Sequence, residues 1–198
     1  MTHVIHARGT GNVAALTFDD GPNGRDTVVL LDFLKQHGLP AVFAVIGENI
    51  EAPGGAQVLR RIVDDGHVLC NHSTSFADMG GYSFDDAVAD MTRNHEIITA
   101  AVGDVSVPYF RAPNGSWGEH LADAALSLGM RPLGVVNTIG DWMTQDVPTL
   151  VTALRTAFVP GQLVLVHDGG GDRAGSIEAV RTVVSEKLSE GWTFTLPA

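Results

Sequence analysis

Short apolar runs alternate along the chain with longer segments in which apolar side chains recur at helical spacing. Between residues 26 and 37, Leu30, Phe33 and Leu34 follow a period of ~3.6 residues, which predicts a helix with one buried face. The apolar runs contain few polar residues, as is typical of parallel strands covered on both faces. The predicted strands are Val13–Phe18, Ala41–Ile46, His67–Asn71, Pro108–Arg111, Pro132–Asn137, Gln162–His167 and Trp192–Leu196, and the predicted helices are Asp26–His37, Gly55–Asp65, Ser83–Ala101, Gly118–Leu128, Val147–Phe158 and Gly175–Glu190.

This alternation indicates a parallel α/β architecture, and both a doubly wound sheet and a barrel fit it. Titratable or cationic residues lie at or just after the C-terminal ends of five predicted strands. In a barrel those ends meet on one face, where catalytic groups collect, whereas a doubly wound sheet would spread several of them away from its crevice. The pattern therefore favours a barrel. The residues concerned are Asp19, Asp20, His72, Arg111, Asp141 and His167.

Composition narrows the classes of protein. The chain has 198 residues, 44% of them hydrophobic, and no linker or charge block divides it, so we predict a single domain over residues 1–198. A formal net charge of −11 disfavours nucleic acid and anionic membrane partners. The apolar runs are too short for the ~20 residues of a transmembrane helix. With one cysteine, Cys70, any metal site must use histidine and carboxylate ligands.

The most specific local pattern is Thr-Phe-Asp-Asp-Gly-Pro-Asn at residues 17–23. Two adjacent carboxylates follow an apolar strand, and the Gly-Pro pair forces an immediate turn. Because adjacent acids repel, one of them binding a metal while the other acts as a base is a natural resolution. The alternative is an ordinary turn in which an aspartate caps the next helix.

Further candidates lie at the other strand ends. His72 follows the third strand, where a neutral imidazole could bind a metal, and Arg111 could pair with a carboxylate and keep it ionised. Asp141 precedes Trp142, and His167 ends a strongly hydrophobic strand, a position suited to a general acid. Each of these residues alone also fits a structural role.

Together, in order and spacing, these motifs resemble those of the NodB-type polysaccharide deacetylases, carbohydrate esterase family 4. The resemblance spans about residues 12–196, and Arg-Ala-Pro-Asn-Gly-Ser-Trp-Gly and His-Asp-Gly-Gly-Gly-Asp-Arg look most like bacterial members that act on acetylated xylan and chitin-type oligosaccharides. The resemblance implies an irregular (β/α)7-type barrel, open along a groove for a glycan.

Residue by residue, the resemblance also implies roles. Asp19 would be the base that activates a metal-bound water, and Arg111 would position and ionise it. Asp20 and His72 would be metal ligands, and His167 would protonate the leaving group with Asp141 tuning its pKa. The remaining implied contacts are the backbone N–H of Asn114 at the oxyanion, and Trp142 and Leu165 around the acetyl methyl group. The implied cofactor is a divalent metal, zinc before cobalt or nickel.

One position departs from the family pattern. The second motif usually ends in a histidine that completes the metal triad, and Phe76 stands there. Water could fill the vacancy and leave a weakly held metal, Asp78 could replace the ligand, or the site could be metal-free and inactive. Because Asp19, Asp20, Arg111, Asp141 and His167 are all retained, we expect an active enzyme with a weakened metal site.

Three functions remain open. The first is a metal-dependent deacetylase of N-acetylglucosamine oligomers or O-acetylated xylan, the second a carbohydrate-binding module without catalysis, and the third a deacetylase of a small acetylated metabolite. Residues 1–8 lack the basic start and long apolar stretch of a secretory signal, so the protein would be cytoplasmic, or secreted if this chain is a trimmed form. We expect a monomer.

Overall fold

The computed structural model describes residues 3–198, so Met1 and Thr2 lie outside the description. The strands are β1 (Val13–Gly21), β2 (Ala41–Val45), β3 (Val68–Asn71), β4 (Tyr109–Phe110), β5 (Arg131–Pro132), β6 (Asn137–Thr138), β7 (Gln162–His167) and β8 (Thr193–Phe194). The helices are α1 (Gly24–His37), α2 (Gly47–Glu51), α3 (Gly55–Asp64), α4 (Phe84–Val102), α5 (Leu121–Ser127), α6 (Val147–Ala157) and α7 (Ala174–Ser189), with a 3-10 turn at Pro113–Gly115.

The strands form one curled parallel sheet. Its path runs β5-β4-β3-β2-β1-β7-β6, and β8 pairs with the beginning of β1. β1 and β7 pair from Ala14 opposite Gln162 to Asp19 opposite His167. This register places Asp19, near the end of β1, directly beside His167 at the end of β7. The predicted α/β class and irregular (β/α) barrel are confirmed.

The sheet is not closed by direct pairing of its two end strands, β5 and β6, within residues 3–198. The N-terminal segment lies along this seam instead. The Val4 N–H donates to Pro132 O at 2.8 Å, and Leu163 N–H donates to Ile5 O at 3.3 Å. The chain start therefore joins the β5 side of the sheet to the β7 side.

The core has two layers, because successive side chains of a strand point to opposite faces. Along β1, Val13 and Ala15 pack inside the barrel with residues such as Val42 and Ala44. Ala14, Leu16 and Phe18 face outward and pack beneath the helices. The inward series continues through Thr17 to Asp19, so the alternation of β1 brings Asp19 to the upper end of the barrel interior.

Most predicted elements are present, and the differences are local. The apolar run Pro132–Asn137, predicted as one strand, divides into the end of β5 and the start of β6. Gly134 bonds to Val4 O, and Val135 and Val136 are exposed, so the run leaves the sheet at the seam. The helix α2 and the 3-10 turn were not predicted, because five and three residues are too short to show a helical period. In residues 3–198, no helix has both the length and the apolar character needed to cross a bilayer.

Candidate active site

Most of the predicted site residues surround one cavity of about 440 Å³ at the C-terminal ends of the strands. Those that line it are Asp19, Asp20, His72, Asn114, Trp142, Leu165 and His167, and Phe76 lies in the same wall. Arg111 and Asp141 do not line the cavity. They are 1% and 0% exposed and lie behind the groups that do.

A β-bulge brings both adjacent carboxylates to this cavity. Asp19 pairs with Ala44 of β2 and Gly21 pairs with Val45, so Asp20 is an extra residue on β1. Asp20 has a φ of 72°, in the left-handed region. Regular strand alternation would direct its side chain outward, and the bulge directs it toward the cavity instead. The carbonyl of Asp19 accepts the N–H groups of Asp168 and Gly169 at 3.1 and 3.2 Å, which holds the bulge in place.

Asp19 is buried and paired with a buried arginine. Arg111 Nη1 donates to Asp19 Oδ1 at 2.5 Å and to Thr17 Oγ1 at 3.1 Å. The same guanidinium donates to the carbonyls of Leu133 and Gly134 at 3.4 and 3.1 Å. Because these acceptors fix the guanidinium, it holds Oδ1 of Asp19, while Oδ2 lies 3.7 Å from His72 Nε2.

His72 is oriented by the backbone. Its Nδ1 lies 2.7 Å from the carbonyl of Arg111, and because a carbonyl only accepts, Nδ1 carries the proton. Nε2 then faces the carboxylates, 3.2 Å from Asp20 Oδ1 and 3.7 Å from Asp19 Oδ2. Burial opposes the charged imidazole, but the carboxylates of Asp19 and Asp20 outweigh it, so the pKa of His72 lies above its usual value.

His167 is oriented by a side chain instead. Its Nδ1 lies 2.8 Å from Asp141 Oδ1, and its backbone N–H donates to Asp141 Oδ2 at 2.8 Å. Nε2 faces the cavity, 4.0 Å from Asp20 Oδ2, and the ring of Trp142 stands edge-to-face at 5.5 Å. Burial lowers the pKa of His167, but the bond to Asp141 and the nearby carboxylates more than offset this, so the net shift is upward.

Asp20 and His72 are the predicted metal ligands, and they do converge. Their facing atoms, 3.2 Å apart, are a carboxylate oxygen and an imidazole nitrogen, donors suited to zinc and related divalent ions. Over residues 3–198, however, no three histidine, cysteine or acidic side chains converge as a metal site would require. The donor set therefore fits a cation held at two points and does not fit one held by three protein ligands.

Neither Phe76, at the position of the missing ligand, nor Asp78, its proposed replacement, supplies a third ligand to this pair. Phe76 lines the cavity and offers no donor, and its backbone carbonyl accepts from Asn114 Nδ2 at 3.2 Å. Asp78 is exposed and turned away, with Oδ1 accepting the Gly80 N–H at 2.8 Å. Bonds from Ser116 and Gly80 hold the pKa of Asp78 below its usual value. The suggestion that Asp78 replaces the missing ligand is not supported in this conformation.

Sequence reasoning missed the residues that support the predicted ones. Ser176 Oγ donates to Asp141 Oδ2 at 2.9 Å, and Arg173 Nη1 donates to the Asp141 carbonyl at 2.8 Å. Arg173 belongs to the His-Asp-Gly-Gly-Gly-Asp-Arg motif and could have been singled out there. Ser176 lies within α7 and carries no distinguishing pattern. Only the fold brings it beneath Asp141.

Comparison with known proteins places this geometry in a family. The polysaccharide deacetylase family profile matches residues 6–133. The chain is 32% identical over 154 residues to a chitooligosaccharide deacetylase from Rhizobium leguminosarum bv. trifolii, covering 78% of this chain and 70% of that protein.

Solved structures share the fold. A peptidoglycan N-acetylglucosamine deacetylase is 26% identical with a TM-score of 0.88, over 98% of this chain and 89% of that one. A family 4 acetyl xylan esterase from Clostridium thermocellum, solved in complex with a cobalt ion, is 27% identical with a TM-score of 0.83, over 93% of this chain and 87% of that one.

The fold also occurs without activity. A CE4 family pseudoenzyme from Bacillus anthracis has a TM-score of 0.83 at 22% identity, and the match covers 92% of this chain but 63% of that longer one. The family resemblance drawn from the motifs is confirmed by the profile match and by the identity to the rhizobial protein. The chain belongs to the polysaccharide deacetylase family.

Proposed function

We propose that the protein is a hydrolase that removes acetyl groups from carbohydrate, with N-acetylglucosamine oligomers and O-acetylated xylan as the substrate classes. The observation that carries the proposal is the placement of Asp19 and His167 on paired positions of β1 and β7, facing one cavity. Asp19 is paired with the buried Arg111, and His167 is paired with the buried Asp141. A fixed base and a fixed acid on one cavity are what acyl transfer to water requires.

Asp19 acts as the base. Arg111 donates to Oδ1, so Oδ2 is the oxygen that takes a proton from the water that attacks the acetyl carbonyl carbon. A carbon–oxygen bond forms, and the carbonyl electron pair moves to its oxygen. The backbone N–H of Asn114, in the 3-10 turn beside the cavity, is assigned to that developing negative charge.

His167 acts as the acid. With Nδ1 donating to Asp141, the protonated ring presents its Nε2–H to the cavity. As the carbon–nitrogen or carbon–oxygen bond breaks, this proton goes to the leaving amine or alcohol, and acetate remains. Leu165 and Trp142 line the same cavity and form the apolar surface for the acetyl methyl group.

Asp20 and His72 would hold a divalent cation weakly, zinc before cobalt or nickel. When bound, it would supply Lewis acidity for the acetyl carbonyl and lower the pKa of water. The charge of this pair supports the assignment. The hydrogen bond from His72 and the neighbouring imidazole charges outweigh burial and keep the pKa of Asp20 below its usual value, so Asp20 is an anionic donor at neutral pH.

Acetate release tests the proposal directly. Chelated protein is incubated with N-acetylglucosamine oligomers and with acetylated xylan, each with and without added zinc, cobalt or nickel. Release that depends on the added ion is expected, and the faster substrate identifies the class. No release under any ion, from protein whose circular dichroism shows it folded, would contradict the proposal.

A second candidate is a carbohydrate-binding protein without catalysis, favoured by Phe76 at the position of the missing ligand. It predicts glycan binding that is indifferent to chelation, and no acetate. The retained pairs Asp19–Arg111 and His167–Asp141 argue against it, because a binding surface has no need of two buried charge pairs behind it.

A further inference from the structure

Phe76 does more than leave a ligand position empty, because its side chain forms a wall shared by two hollows. One is the catalytic cavity of about 440 Å³. The other, of about 320 Å³, also has Phe76 in its lining, together with Pro22, Asn23, Asn49, Gly170 and Gly171. Both volumes fall in the range of ~300–1,000 Å³ that is usual for small-ligand sites.

The side chain of Phe76 is available for contact. The residue is 42% exposed, an unusual state for a large apolar ring in a chain whose other phenylalanines are mostly buried. Its loop is held on both sides. Thr74 Oγ1 donates to Asp90 Oδ2 at 2.5 Å before it, and the Phe76 carbonyl accepts from Asn114. The ring is therefore presented from a fixed backbone.

The second hollow is neutral and rich in carboxamides. Asn23 Nδ2 donates to Gly171 O at 2.8 Å, and Asn49 Nδ2 donates to Asp20 O at 2.7 Å. Both amide nitrogens are thus used by the protein, while neither Oδ1 accepts a bond from any group in residues 3–198. Each oxygen remains an acceptor for a ligand hydroxyl. No charged side chain lines this hollow, so an ionic ligand is disfavoured.

An aromatic ring beside hydroxyl acceptors suits one class of ligand in particular. A neutral pyranose has an apolar face of C–H groups that packs on a ring and an edge of hydroxyls that donate to amide oxygens. Trp142 also lines the catalytic cavity, where it is 54% exposed and packs beside His167. The reacting sugar would lie between the two rings, and its neighbour in the glycan would lie beyond Phe76.

We propose that Phe76 is a stacking platform for a second sugar of the glycan, so that the protein selects acetylated sugars within a chain over free monosaccharides. The proposal rests on the proposed function for the identity of the first subsite. According to this proposal, Phe76 occupies the position of the missing metal ligand and strengthens substrate binding there.

Binding measured without turnover tests this platform separately from catalysis. Chelated protein is titrated by calorimetry with N-acetylglucosamine and its tetramer, and with xylose and its tetramer. We expect one tetramer to bind at least about tenfold more tightly than its monomer, which corresponds to about 1.4 kcal/mol. Phe76→Ala should reduce that tetramer-to-monomer ratio by about two- to tenfold, the size of an aromatic packing contribution.

Two further variants act as controls. Phe76→Tyr keeps a ring and should preserve the ratio. Phe84→Ala removes a comparably exposed phenylalanine, 39% against 42%, that lines neither hollow, and should also leave the ratio unchanged. A wild-type protein that binds neither tetramer more tightly than its monomer would overturn the platform, as would an unchanged ratio in Phe76→Ala.

The platform and the proposed function can fail independently. Acetate release together with an unchanged ratio in Phe76→Ala would leave the deacetylase proposal standing and remove the platform. A ratio that falls in Phe76→Ala, with no acetate released under any ion, would keep the platform and favour the binding protein.

Discussion

Two halves of the site are built differently. The acid–base half contains Asp19 with Arg111, and His167 with Asp141, and in each pair a buried charged group holds the acting one at 2.5 or 2.8 Å. The cation half contains Asp20, His72 and Phe76. Here the two donors contact each other at 3.2 Å, and the third position offers only a hydrocarbon ring.

The two halves differ in what determines their performance: the position of the acid and base side chains in one, and the affinity for a cation in the other. The acid–base half is fixed by ion pairs: within residues 3–198, Arg111 pairs with no other acidic side chain than Asp19, and Asp141 with no other basic side chain than His167. Losing such a pair is costly, because it leaves a buried charge without its counter-charge. The cation half relies on an ion to complete it. The rate of acetate release, which needs both halves, should therefore be limited by cation affinity. Variants in the acid–base half should leave cation affinity unchanged, and variants in the cation half should leave the acid and the base in place.

The largest expected effect is in the acid–base half. Asp19→Asn removes the proton acceptor, and acetate release should fall about 10²–10⁴-fold, the usual contribution of a general base. Cation binding, measured by calorimetry, should change little because Asp20 and His72 remain. Melting curves must show that the variant is folded, since Arg111 loses its carboxylate and keeps only neutral acceptors such as Leu133 O. A variant that retained most of the wild-type rate would exclude Asp19 as the base.

His167→Ala tests the other member of the same half. An amine is a poorer leaving group than an alcohol and depends more on protonation, so N-acetyl cleavage should fall about 10²-fold or more and O-acetyl cleavage less. Rates on an N-acetylated and an O-acetylated oligosaccharide check this. His95→Ala, a change at an exposed histidine of α4, is the matched control and should leave both rates unchanged. Equal losses on both substrates would contradict the role of His167 as the acid.

The sequence predicted the acid–base half more completely than its supports. Asp19 and His167 both follow apolar runs that are predicted as strands, and the C-terminal ends of strands meet on one face of a barrel. The sequence therefore predicted that these two residues lie near each other. The bulge at Asp20 was not predicted, because it depends on the register of β1 against β2 and on the Asp168 N–H bonding to Asp19 O. Ser176 was missed for the same reason, since its contact with Asp141 spans 35 residues of chain.

The fold was predictable where periodicity was long. β1, β2, β7 and the long helices α1 and α4 lie close to their predicted bounds. The run Pro132–Asn137 was wrong as one strand, because an apolar run does not reveal that the N-terminal segment bonds to Gly134 and takes the place of a sheet neighbour. Local pattern predicted the elements, and only long-range pairing determined where they end.

Asp168 is fully buried next to His167, its backbone N–H donates to Asp19 O, and its carboxyl group gives a prediction on stability. Burial raises its pKa to about 7, with the Thr27 hydroxyl opposing and the neighbouring carboxylates adding to the shift. Between pH ~4 and ~7 the folded protein therefore retains a proton that the unfolded chain releases. The stability present below pH ~4 should be lost as the pH rises, at up to about 1.4 kcal/mol per pH unit.

The isosteric variant Asp168→Asn cannot ionise and should lack this loss. Urea unfolding of both proteins at several pH values from 4 to 8 measures it, and the difference between them removes the contributions of other carboxyls. The variant should gain on the wild type as the pH rises and level off above pH ~7. A constant difference across the range would show that Asp168 has an ordinary pKa.

The smallest expected effect is a change in zinc affinity when the missing ligand of the cation half is restored. Phe76→His adds an imidazole to the wall of the cavity beside Asp20 and His72 and would turn two donors into three. We expect zinc affinity, measured by competition with a chelator, to rise about tenfold or more, because even outer partners of metal ligands contribute this much. Phe76→Leu removes the ring without adding a donor and should leave zinc affinity as in the wild type.

The same variant should weaken the proposed sugar platform, since an imidazole bound to a cation is no longer free to stack. Zinc affinity and the tetramer-to-monomer binding ratio would then change in opposite directions in Phe76→His, while Phe76→Leu lowers only the ratio. That result would mean that the side chain at position 76 can increase either cation affinity or glycan binding, and that a gain in one is a loss in the other. Unchanged zinc affinity in Phe76→His would instead place the cation out of reach of residue 76 and remove the explanation of the cation half as a site that lacks one ligand.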